Sequence, residues 1–223
     1  MLGSIFIKIF SFLFPPVCII CGTEETDGNL CTLCLEKFPI HRDQARPWSF
    51  SLFVYRNDRV STAIQHLKNF PDQEMVSRML DSRASMISSW TKGIAATSGV
   101  DTIILIPIPL HRSRFLDRGY NQTDIIAECI AKIVDPKLHI HILKDVIIKP
   151  NKTIKQATIH DRTERFKNIH GAFAIKNISG IKNHYNAIAI IVDDVTTTGG
   201  TLDEVKTLLD PYVKNVFAFT LGH

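Results

Sequence analysis

Residues 187–210 read AIAIIVDDVTTTGGTLDEVKTLLD. The run from Ala187 to Val192 is apolar without a polar break, so it does not alternate as a strand with one wet face does. It reads as a strand buried on both faces, the kind found in parallel sheets covered by helices. TLDEVKTLLD, residues 201–210, reads as a helix. Between them lie paired carboxylates, Asp193 and Asp194, then a threonine- and glycine-rich turn. Open α/β sheets bind ligands at the carboxyl ends of their strands, and this turn occupies such an end.

The pattern repeats outward. DTIILIPIPL, residues 101–110, is another continuous apolar run, ended by prolines. SFSLFVY (49–55), LHIHILKDVIIK (138–149), GAFAI (171–175) and NVFAFTL (215–221) read as further strands or strand regions. Residues 58–68 and 72–92 carry helical spacing, with Val60, Ile64 and Leu67 on one face of the first. NQTDIIAECIAKIV, residues 121–134, is an amphipathic helix whose apolar stripe includes Cys129, a core position. Strands alternating with helices predict an open parallel sheet with helices on both faces.

The turn has the chemistry of a phosphate cradle. Thr196, Thr197, Thr198 and Thr201 offer hydroxyls, and Gly199 and Gly200 permit close backbone approach. The free N–H groups and the dipole of the following helix favour an anion. The alternative is a plain helix cap with two solvated acids, but acids set between a buried strand and such a cradle argue against it. A second polar segment, PIPLHRSRFLDRGYNQ (107–122), follows the other buried strand and carries Arg112, Arg114 and Arg118 before Gly119. Guanidinium forks match phosphate oxygens, so this loop suits a pyrophosphate; its bland alternative is a solvated basic loop. His111 beside it reads as a lone surface histidine.

Four of the five cysteines fall within CIICGTEETDGNLCTLC, residues 18–34. Cys18 and Cys21 form one C-x-x-C pair and Cys31 and Cys34 another, the spacing of a tetrahedral zinc site. Gly22 and Gly28 supply the turns that such knuckles need. An all-cysteine shell has no open position, so the metal is structural. Zinc binding and folding of so small a segment are then coupled. The polar joint FPIHRDQARPW (38–48) suggests a boundary: a module over 1–46, and an α/β domain over 47–223.

The opening MLGSIFIKIFSFLFPP (1–16) lacks a basic start and a small-residue cleavage site. It is expected to pack on its own protein, the alternative being weak association with a membrane surface. No run reaches the length of a spanning helix, and the chain is expected to be cytoplasmic. A net charge of +4 permits phosphate or nucleic-acid ligands without demanding them.

IIVDDVTTTGGTL, residues 190–202, resembles the phosphoribosyl pyrophosphate (PRPP) signature of type I phosphoribosyltransferases. The four-cysteine segment, Leu67-Lys68, RGYNQ (118–122), KQATIHDRTERFKNIHGAF (155–173) and that signature together resemble the ComF family of competence-associated, phosphoribosyltransferase-like proteins. The resemblance spans essentially the whole chain. It implies that Asp193 and Asp194 hold the ribose hydroxyls and residues 196–201 the 5′-phosphate. It further implies that Mg²⁺ accompanies PRPP and that 155–168 form a flap with Gln156, Arg162, Arg165 and Asn168 as candidate contacts. The functional expectation is a PRPP- or ribose-phosphate-binding factor in DNA uptake or single-stranded DNA handling during natural transformation, working with other competence proteins. Two alternatives stand beside it: an active phosphoribosyltransferase of nucleotide salvage, and a zinc-ribbon single-stranded DNA binder on a non-catalytic transferase scaffold. Neither an acceptor pocket nor a catalytic residue is legible, so enzymatic activity stays open.

Overall fold

The computed structural model describes residues 16–24, 28–43, 46–150 and 171–223. The flap candidates Gln156, Arg162, Arg165 and Asn168 lie outside the described residues, as does most of the apolar N-terminal stretch.

The main sheet has five strands, all parallel: β1 (Ser49–Phe53), β2 (Thr102–Pro107), β3 (His139–Ile142), β6 (Ile188–Val195) and β7 (Asn215–Gly222). Their order is β1-β7-β6-β2-β3. A separate antiparallel pair joins β4 (Ile147–Ile148) to β5 (Ala174–Ile175). The region 138–149 is therefore two strands in two sheets. In β3 the alternation exposes His139 and His141, as an edge strand requires, and Ile147 turns away to pair with Ile175.

Period-two alternation gives the sheet two cores. Ile188, Ile190 and Val192 face helices α2 (Asp58–Asn69), α3 (Gln73–Asp81), α4 (Ala84–Ser98) and α6 (Gln122–Ile133). Ala189 and Ile191 face α7 (Ile178–Lys182) and α8 (Gly200–Leu209) on the other side. Cys129 is buried in the first core, where burial pushes its thiol pKa up. The helical run 72–92 is broken between α3 and α4. The Ser82 hydroxyl donates back to the Met79 carbonyl at 2.7 Å, and Arg83 leaves the helical region at φ −132°.

The cysteine segment packs on the first core. Leu30, Leu35 and Phe38 share that cluster with Leu52 and Met75. Asp72, the N-cap of α3, accepts from Met75 N–H at 2.9 Å and from Asn29 Nδ2 at 2.7 Å, so one carboxylate both starts the helix and seats the cysteine segment. Past the short helix α1 (Thr32–Glu36), His41 N–H donates to Leu52 and Val54 N–H to Pro39, lacing the joint to β1.

The four sulfurs lie within 4.8 Å of one another, and Cys21 Sγ is 3.7 Å from Cys31 Sγ. A tetrahedral ion with bonds of about 2.3 Å places sulfurs roughly 3.8 Å apart, so the shell fits zinc. Gly22 (φ 73°) and Gly28 (φ 109°) turn the two knuckles, and Cys31 N–H donates to Cys18 Sγ at 3.4 Å. Burial drives the Cys34 thiol up to about 12, whereas the Thr23 hydroxyl draws Cys21 down to about 6. The exposed Cys21→Ser change removes a ligand without opening the core. The expected result is loss of about one equivalent of zinc and faster amide exchange over residues 16–36, with the parallel sheet intact. Full zinc content in that variant would show that the four cysteines do not act as one set.

Candidate functional site

β2 and β6 are neighbours at the centre of the sheet. The chain leaving β2 crosses outward to β3, and the chain leaving β6 crosses the other way to β7. The divergence opens a crevice at the carboxyl ends of both strands. It holds a cleft of about 440 Å³ walled by Asp193, Asp194 and Thr201, by Lys68, Arg114, Arg118 and Lys149, and by Gln122 and Phe173 among others. Four cations thus surround two carboxylates.

The acids lie one residue short of the end of β6 and point to opposite faces of the sheet. Asp194 is buried and continues the Val192 face; Asp193, half-buried, continues the Ile191 face. Gln122 Nε2 donates to Asp194 Oδ2 at 3.2 Å, and Lys68 Nζ lies 3.4 Å from the same oxygen. Val195 N–H donates to Asp194 Oδ1 at 2.7 Å, and Asp194 N–H to Asp193 Oδ1 at 2.9 Å. Burial, with the neighbouring Asp194 charge second, raises the Asp193 carboxyl well above the usual carboxylate range.

The next residues bend into α8. Thr196 is buried and its N–H donates to Gly222 at 3.0 Å, which ties the start of the turn to β7. Thr197 and Thr198 are exposed. Gly199 is the N-cap at φ 78°, and Gly200 begins the helix. Glycine as the cap offers no side-chain acceptor of its own to the first-turn N–H groups. An anion can.

The arginine segment is a short helix, α5 (Arg112–Arg118), none of whose residues is buried. The sequence pattern showed only a loop, because an unburied helix leaves no apolar period to read. His111 starts it: Ser113 N–H donates to His111 Nδ1 at 3.3 Å. Gly119, left-handed at φ 77°, stops it. Arg114 and Arg118 reach the cleft wall, and Arg112 does not. Arg118 Nη1 donates to Gln122 Oε1 at 3.0 Å, so Gln122 joins the arginine helix to Asp194 through the two ends of one amide. The Asn121 amide and Thr123 hydroxyl bond the Ile108 carbonyl at 3.2 and 2.8 Å, holding α6 against the end of β2. Tyr120 donates to the Leu67 carbonyl at 2.8 Å, which places α2 and Lys68 beside the acids.

Lys68, Gln122, Lys149 and Phe173 had no assigned role before the fold placed them here. Leu67-Lys68 and the Asn121-Gln122 helix start were the nearest signals; nothing local to Lys149 marks it. The Lys149 ammonium lies 5.0 Å from the Phe173 ring, on the antiparallel pair that flanks the cleft.

A carboxyl whose pKa is raised on folding favours the native state while protonated and opposes it once ionised. That stabilisation is complete below the ordinary carboxylate pKa of about 4 and disappears as pH climbs through the raised native value. Asp193→Asn is therefore expected to melt higher than wild type at pH 7 and level with it near pH 4. Thermal denaturation across that range checks it, and a constant offset would show that Asp193 does not carry the effect.

Residues 9–45 match the family model described as a double zinc ribbon domain. Most of the chain is similar to proteins with competence and DNA-utilization names. Competence protein F of Haemophilus influenzae is 30% identical over 198 residues, covering 87% of this chain and 78% of that protein. Competence protein ComFC of Bacillus subtilis is 26% identical, covering 94% and 86%. DNA utilization protein YhgH of Escherichia coli K12 is 25% identical, covering 86% and 77%. With that identity to the Haemophilus protein over most of both chains, a zinc-ribbon N-terminus and a five-stranded parallel α/β sheet, this chain belongs to the competence protein F (ComF/ComFC) family.

Proposed function

We propose that the protein is a ribose-phosphate-binding competence factor that takes PRPP in the β2–β6 crevice and acts on single-stranded DNA during uptake. The observation that supports it most is the adjacency of Asp193 and Asp194 to a glycine-capped helix start at the switch point of the sheet. Carboxylates accept from a sugar diol, and N–H groups and threonine hydroxyls donate to a phosphate monoester. In this reading residues 196–201 take the 5′-phosphate, and Arg114, Arg118 and Lys68 face the pyrophosphate, where guanidinium forks match its oxygens. Gln122 orients both Arg118 and Asp194. Mg²⁺ would enter with PRPP and neutralise pyrophosphate charge. The names competence protein F, ComFC and DNA utilization protein carry the DNA side of the proposal.

An exposed ring among the arginines supports the single-strand side of this reading. Phe115 is 46% exposed and lies within the arginine helix. Exposed rings beside guanidiniums can stack on bases while the cations follow the backbone.

Calorimetry with PRPP and Mg²⁺ tests the ligand. Asp193→Asn with Asp194→Asn removes two carboxyl groups at nearly constant volume. Hydrogen bonds to charged groups contribute about 1.5–3 kcal/mol each, so affinity is expected to fall by on the order of a hundredfold or more. Thr197→Val is expected to cost less, since the backbone donors remain. Equal affinity in wild type and double variant would retire the site. For the strand, Arg112→Ala, Arg114→Ala and Arg118→Ala together are expected to weaken single-stranded DNA binding and flatten its salt dependence. An affinity indifferent to salt would mean that phosphates are not the contact.

A further inference from the structure

Arg46 belongs to none of the motifs above. Its backbone opens the turn into β1: its carbonyl accepts from Ser49 N–H at 3.1 Å and from the Ser49 hydroxyl at 3.3 Å. Two residues on, the Trp48 carbonyl accepts from Ala218 N–H at 2.9 Å, so the turn is anchored to β7. From that base the side chain crosses to the start of α8. Nε donates to Asp203 Oδ1 at 3.0 Å and Nη2 to Asp203 Oδ2 at 2.7 Å, a fork on both carboxylate oxygens. The same Nη2 donates to the Thr198 carbonyl at 2.8 Å. The guanidinium also lies 5.9 Å from the Trp48 ring. The side chain is 24% exposed, which is low for an arginine whose partners are on the surface.

A cation at a helix N-terminus is unfavourable by itself, because the dipole is positive there. Asp203 in the first turn and the Thr198 carbonyl offset this, and Arg46 in turn holds the Asp203 carboxyl below its usual range. The bond to Thr198 separates the arrangement from an ordinary surface ion pair. A trans peptide directs its C=O and the following N–H in opposite senses, and cis bonds are absent among the described residues. With the Thr198 carbonyl drawn to Arg46, the Gly199 N–H is turned away from it. Gly199 fits closely around the guanidinium: at φ 78°, a Cβ there would overlap Arg46 Cζ and its terminal nitrogens. Arg46 is not part of the cleft wall; Thr201, two residues past Gly199, is. The guanidinium braces the loop from behind.

We propose that Arg46 is a positioning residue for the phosphate loop: by fixing the Thr198–Gly199 peptide it presents the Gly199 N–H and the first N–H groups of α8 to a phosphate monoester. The proposal deepens the ribose-phosphate reading and rests on it for the identity of the ligand. Because Arg46 lies in the joint between the cysteine segment and the sheet, it also makes the loop's geometry depend on how that joint is seated.

The test uses the full chain carrying Arg46→Ala, Arg46→Lys or Asp203→Asn, with amide hydrogen exchange and calorimetric titration of ribose 5-phosphate. In Arg46→Ala the amides of 197–203 are expected to exchange about tenfold faster while those of β2 keep their wild-type rates. Ribose 5-phosphate affinity is expected to fall roughly tenfold. Arg46→Lys is expected to recover part of both, since an ammonium reaches the Thr198 carbonyl but cannot match the carboxylate fork. Asp203→Asn is expected to fall between them. Unchanged loop exchange in Arg46→Ala overturns the proposal, as does equal acceleration across the whole sheet, which would mark a general stability effect. Tighter phosphate binding in Arg46→Ala overturns it too, since the guanidinium would then be an obstruction. Wild-type protein that fails to bind ribose 5-phosphate overturns the ligand reading, and the exchange measurement still decides whether Arg46 holds the loop.

Discussion

β6 is hydrogen-bonded along both edges, to β2 and to β7, and covered on both faces. Ile188 to Val192 are fully buried, so no polar side chain can be accommodated until the strand emerges at its carboxyl end. The two acids stand at the first positions where ionised groups can find partners. Charged and polar side chains gather there: two lysines, two arginines of α5, a buried glutamine and the start of α8. The site is where it is because the strand has no other place for charge.

The same constraint explains the uneven partners of the acids. Asp194 turns to the face where α2 and α6 supply Lys68 and Gln122, and its charge is answered. Asp193 turns to the other face, where the answering group is the backbone N–H of Asp194 and the nearest charge is repulsive. Among the described residues, such a carboxyl keeps acceptor capacity that a packed core would not fill.

Local chemistry was legible in the sequence and distant chemistry was not. The four cysteines, the paired acids and the glycine cap are each specified within a few residues, and their spacing is enough to read them. The central strands β2 and β6 were legible because continuous burial leaves an unbroken apolar run. The helix α5 was not, since none of its side chains is buried. Nor was the split at Ser82, where a hydroxyl competes for a helix carbonyl in a sequence that otherwise keeps its period. Gln122 meets Asp194 across 72 positions, and Arg46 meets Asp203 across 157. Contacts of that kind exist only once the topology has brought the elements together, and a single sequence carries no local trace of them.

The strand order has a consequence for how the molecule comes into being. β1, near the start of the sheet's chain, has β7 as its sheet neighbour, with Ser49 opposite Ala218. β7 also receives the N–H of Thr196 through Gly222 and that of Ala218 is given to Trp48. During synthesis β1 therefore waits, unpaired along that edge, while more than a hundred residues are added. Until residues 215–222 emerge, the turn after β6 and the joint carrying Arg46 both lack their shared anchor. The crevice is therefore completed only when β7 arrives, and a nascent chain held short of it would lack the strand that fixes the turn after β6.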